Sequence, residues 1–100
     1  MPVTFYIPTP LREFSDGQSK IEIKESPATL AGALSALWIL FPALRDRIAT
    51  EQGEIREHIN IFIGEEDVRF TGGLTSRIPA GAEISIVPSI TGGDLVNKST

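Results

Sequence analysis

No cysteine occurs in this 100-residue chain. Disulfide scaffolding, thiolate metal sites and cysteine nucleophiles are excluded with it. Histidine occurs once, at His58 beside Glu57, so no second imidazole exists to complete a zinc set. Ser15, Ser85 and Ser89 have no histidine neighbour that would mark one of them as a nucleophile. The nine basic residues are spread along the chain, and the formal net charge is −4. A phosphate-tracking surface needs clustered Lys and Arg, so no nucleic-acid partner is expected. No apolar run approaches the roughly 18 residues of a membrane span, Ala36 to Leu44 included, and no membrane partner is expected. Met1 to Pro10 holds no basic residue ahead of its apolar stretch, which leaves the cytoplasm as the expected compartment.

What is present is ordinary globular material, 41% hydrophobic and 22% charged, of a length that suits one core. Val3, Phe5 and Ile7 alternate with Thr4, Tyr6 and Pro8, the period of a half-buried strand, and Pro8 and Pro10 end it. After a turn at Ser15 to Gln18, Ile21 and Ile23 alternate with Lys20, Glu22 and Lys24. The two strands read as an antiparallel hairpin with a long connection. Thr29 is the N-cap candidate of a helix whose apolar stripe is Leu30, Leu34, Leu37, Trp38 and Phe41. Pro42 stops or kinks it, and Ala43 to Ile48 forms a further short helix.

Ile59, Ile61 and Ile63 mark a third strand. Gly64-Glu65-Glu66-Asp67 is expected as a tight connection to a short strand at Val68 to Phe70. Gly72-Gly73 turns the chain, Leu74 to Ile78 is an irregular link, and Glu83 to Pro88 is the last strand. The order β-β-α-β-β-β gives an α+β class with a mixed sheet packed on one main helix. With the final strand returning to the middle, it suits a β-grasp roll. Residues 1–90 make this domain, and residues 91–100, small and polar, a flexible tail.

As an enzyme the sequence is nearly empty. Glu65-Glu66-Asp67 reads as a solvated turn, because no second ligand cluster accompanies it, and no bound metal or cofactor is expected. Gly72-Gly73 lacks the downstream Lys and Ser/Thr of a phosphate loop. The remaining feature is Gly92-Gly93, just beyond the last strand. A tail without side chains can enter a narrow channel in a partner where any larger residue would clash.

The run Ile59-Asn60-Ile61-Phe62-Ile63-Gly64-Glu65-Glu66-Asp67-Val68-Arg69-Phe70-Thr71-Gly72-Gly73-Leu74 resembles the corresponding segment of the MoaD/ThiS-like, ubiquitin-fold sulfur carriers. It is most similar to the branch that serves cysteine synthesis. Ile7 to Arg12, Phe41 to Leu44 and Ile84 to Gly93 resemble that branch too. The resemblance covers essentially the whole chain to Gly93, and it implies a ubiquitin-like β-grasp fold and a non-catalytic carrier. The resemblance implies, further, an E1-like adenylating enzyme that uses ATP to activate the carboxylate of Gly93. A sulfur donor then displaces AMP to leave a thiocarboxylate. Gly92 keeps the approach narrow.

Most family members stop at the second glycine, whereas Asp94-Leu95-Val96-Asn97-Lys98-Ser99-Thr100 follows here. The resemblance therefore implies cleavage between Gly93 and Asp94, by a JAMM-type zinc metalloprotease. It also implies a pyridoxal-phosphate-dependent synthase as sulfur acceptor. Cysteine or homocysteine is favoured as product over molybdopterin or thiazole. A ubiquitin-like modifier, joined to target lysines through Gly93, is the alternative reading, and a plain interaction domain the third. Phe62, Arg69 and Thr91 are the candidate partner contacts. If Ile59, Ile61 and Ile63 face the helix, Phe62 points to the opposite face of the sheet. Arg69 and the Glu65 to Asp67 cluster add charge at its rim.

Overall fold

The computed structural model describes residues 2–25 and 27–88. Val3, Phe5 and Ile7 are buried and Thr4 and Tyr6 only half-buried, so strand β1 (Val3–Tyr6) commits one face to the core. Strand β2 (Lys20–Ile23) buries Ile21 and Ile23 in the same way and pairs antiparallel with β1. Their connection holds a 3₁₀ helix, Thr9–Phe14, where the sequence suggested only a long link. Proline ends a ladder because it has no N–H, yet its fixed φ starts a helix well; Pro8 and Pro10 do both, and Leu11 drops into the core.

Helix α1 (Leu30–Leu40) begins at Thr29, whose hydroxyl accepts the Gly32 N–H at 3.3 Å. It buries Leu30, Ala33, Leu34 and Leu37. The expected stripe ran on to Phe41, but Phe41 is the C-cap, and Pro42 opens helix α2 (Pro42–Ile48). Leu44 and Ile48 of α2 are fully buried beside α1.

Strand β3 (Ile59–Ile63) buries Ile59 and Ile61, with Ile63 packed at the margin of the core. The expected strand at Val68 to Phe70 is corrected: the strand is β4, only Glu66–Asp67, and Val68–Phe70 is a 3₁₀ turn. Asp67 causes this. Its carboxylate accepts the N–H of Arg69 at 2.9 Å, bending the chain two residues after the hairpin. A second 3₁₀ turn, Gly73–Thr75, lies within the segment read as a turn and irregular link. That segment also holds the start of α1, since the Leu30 N–H donates to the Ser76 carbonyl at 2.9 Å.

Strand β5 (Glu83–Pro88) lies where the sequence placed it. It runs parallel to β1 and antiparallel to β3, giving the sheet order β2-β1-β5-β3-β4. Both helices cover one face. The last strand thus occupies the centre of a mixed sheet, the β-grasp arrangement.

Candidate functional site

The sheet face away from the helices carries the candidate contacts. Directly opposed residues of a ladder point to the same side. Register therefore aligns Lys20, Tyr6, Ser85, Phe62 and Asp67 in one row across all five strands. Phe62 stands on this face as expected, but half-buried among its neighbours. Asn60 and Val87 flank it one register step away, and Val87 is 42% exposed. Toward β2, the Tyr6 hydroxyl donates to Glu83 Oε2 at 3.1 Å, which pushes the phenol pKa up. Lys20 Nζ lies 5.7 Å from the centre of the same ring.

At the other end of the row, Arg69 grips Asp67. Its Nη2 donates to Oδ2 at 3.0 Å, while its backbone N–H holds Oδ1. These hydrogen bonds, the side-chain one first, lower the Asp67 pKa. Glu65 and Glu66 remain exposed at the hairpin between β3 and β4, and His58 is exposed just before β3. The turn also delivers Phe70 to solvent, 84% exposed. Sequence reading missed Phe70, because in a strand it would share the inward side of Val68. The signal was Asp67-Val68-Arg69, where a carboxylate can take the N–H two residues on.

Pro88, opposite Ile59, is where the described chain leaves the central strand. Thr91, Gly92, Gly93 and Asp94 lie outside the described residues. Among the described residues no helix is long and apolar enough to cross a membrane.

An amphipathic helix laid over a mixed five-stranded sheet whose last strand is central defines a ubiquitin-like protein. More narrowly, the chain belongs to the ThiS family, whose model matches residues 5–93. It is 35% identical to the sulfur carrier protein CysO of Mycobacterium tuberculosis over 95 residues, 93% of this chain and 100% of that one. Small archaeal modifier protein 1 of Haloferax volcanii is 33% identical over 69 residues, 69% of this chain and 75% of that one. Among solved structures, a chain of the Amycolatopsis orientalis BexX/CysO complex superimposes with a TM-score of 0.82 at 32% identity. That match covers 91% of this chain and 99% of the other.

Proposed function

We propose that this protein carries sulfur as a thiocarboxylate on Gly93, after cleavage of the Gly93–Asp94 bond. The carrying observation is that the family match runs to Gly93 and stops there, with seven residues left over. Gly93 is five residue steps beyond Pro88, a reach of at most roughly 18 Å from the central strand. A carboxylate is a poor acyl electrophile. An E1-like partner overcomes this when the Gly93 carboxylate oxygen attacks the α-phosphorus of ATP and expels pyrophosphate. A sulfur nucleophile then attacks the acyl carbon, the C–O bond to phosphate breaks, and AMP leaves. The carrier is the protein co-substrate of this reaction, not its catalyst.

With Asp94 attached, Gly93 has an amide in place of the free carboxylate, so a protease, JAMM-type by family resemblance, must act first. The relationship to CysO supports cysteine or a close analogue as the destination, through a pyridoxal-phosphate-dependent synthase. That a relative is found in a BexX/CysO complex supports a carrier that docks directly on a partner protein. The Phe62 face, rimmed by Arg69 and Val87, is the surface we assign to the adenylating partner. The test compares the full chain with a chain ending at Gly93, each given the adenylating enzyme, ATP and sulfide. Intact mass should show one oxygen replaced by sulfur only in the shorter chain. Sulfur gained by the uncut chain removes the precursor reading.

The modifier relative supports a second outcome, in which the same adenylate is captured by lysines of target proteins. Lysine adducts in place of the thiocarboxylate would favour it.

A further inference from the structure

The two edges of the sheet are unlike. β4 is two residues long and ends in a tight turn, whereas β2 is a four-residue strand that pairs, among the described residues, on its β1 side alone. The Ile7 N–H donates to the Ser19 carbonyl at 2.8 Å, which fixes the alternation along this pair: Ser19, Ile21 and Ile23 turn their backbone groups toward β1. Lys20 and Glu22 therefore direct their N–H and C=O groups outward. Such an edge is a template for another strand.

Beside it lies an apolar surface of unusual kind. Helix α1 contains no charged residue, and its last turn exposes Ile39 by 80% and Leu40 by 52%. These two side chains, with Ala36, share a groove of about 320 Å³ with Glu22, Lys24 and Glu25. A helix end facing only water would carry charge there.

We propose that β2 pairs antiparallel with β2 of a second copy, about a two-fold axis at Ile23, burying the Ile39 and Leu40 side chains of both. Charge selects the occupant and the register. With the axis at Glu22, like charges meet, Lys20 against Lys24 and Glu22 against its own copy. With the axis at Ile23, Glu22 of each copy faces Lys24 of the other, giving two opposite-charge contacts. An axis at Ile21 would use Lys20 instead, but that amine already leans over the Tyr6 ring. The Ile23 axis also places the charge pairs at the groove that holds Ile39 and Leu40. The paired stretch about Ile23, residues 21–25, and two apolar side chains per copy make a small interface, so the dimer is weak and concentration-dependent.

The surface is separate from the point where the described chain leaves β5. Val3 lies opposite Ile23, and Thr4 is level with Glu83, so Ile23 sits about six residues back from Pro88, roughly 20 Å along the strands.

Sedimentation equilibrium of the full chain, run over a concentration series, tests this. The wild type should show monomer–dimer exchange, and E22K or K24E alone should weaken it at least about tenfold through like-charge contacts. An equimolar mixture of E22K and K24E puts opposite charges at both contacts, so it should dimerise again. The double variant E22K/K24E should do so alone. Ile39→Lys, at an exposed position, should abolish association without loss of helicity by circular dichroism. A wild type that stays monomeric throughout, or a dimer indifferent to both charge reversals, overturns the proposal. So does a mixture that fails to re-associate.

Discussion

Asp67 shows how one side chain can redirect a site. By taking the Arg69 N–H it ends β4 after two residues, turns Val68 inward and sends Phe70 out. Because the charge-assisted hydrogen bonds from Arg69 favour its ionised form, its pKa falls below the ordinary value. A depressed carboxylate contributes stability that is present above its unfolded pKa and lost as pH falls through the folded one. The Asp67–Arg69 contact should therefore be insensitive to pH near neutrality and weaken only in acid. Carboxyl NMR titration should place Asp67 below the ordinary aspartate value, and Arg69→Ala should raise it; an Asp67 that titrates at the ordinary value refutes the contact.

The two aromatics near this turn should behave differently. Phe70→Ala removes an exposed ring and should leave unfolding free energy within about 0.5 kcal/mol. Phe62→Ala uncovers neighbours on the sheet, so urea denaturation should register a loss of about 1 kcal/mol or more. Affinity for the adenylating enzyme should fall about tenfold for Phe62→Ala if that face is the docking surface. Calorimetry that finds unchanged affinity takes Phe62 off the interface.

Among the elements, the 71–76 segment carries more than its irregular appearance suggests. Ser76 is buried, its Oγ lies 2.8 Å from Thr71 Oγ1, and its carbonyl receives the first N–H of α1. Gly72 makes the bend possible with φ +117°, a conformation that side chains rarely adopt. A Cβ there would also stand 2.9 Å from Thr75 Oγ1, the atom that donates to the Gly72 carbonyl. Gly72→Ala should destabilise by about 1–3 kcal/mol, with helix α1 fraying first at Leu30. Hydrogen exchange at the Leu30 amide is the check; unaltered protection would show that the segment does not anchor the helix. Long, strongly patterned elements such as α1, β3 and β5 were legible from periodicity. β4 was not, because a two-residue strand has no period, and its end depends on one local hydrogen bond.

Among the described residues, two surfaces and the point where the chain leaves β5 lie at different places on the sheet. The Phe62 face looks away from the helices, the β2 edge lies at one side, and Pro88 leaves the sheet from its centre. Sulfur loading and self-association should then be separable. The E22K variant, cut to end at Gly93, should accept sulfur at the wild-type rate while losing its dimer; a parallel loss of loading would mean that the two surfaces overlap.

From the chain alone follow the alternating strands, the amphipathic helix capped by Thr29 and the absence of catalytic thiol chemistry. These rest on local spacing and on residue chemistry, which need no partner elsewhere in the fold. Only the tertiary structure decided that Phe62 is half-covered while Phe70 is bare, that Asp67 serves Arg69 and that β2 is the open edge. Each of those depends on which strands become neighbours and in what register, and that is set by burial summed over the whole core rather than by any local run of residues.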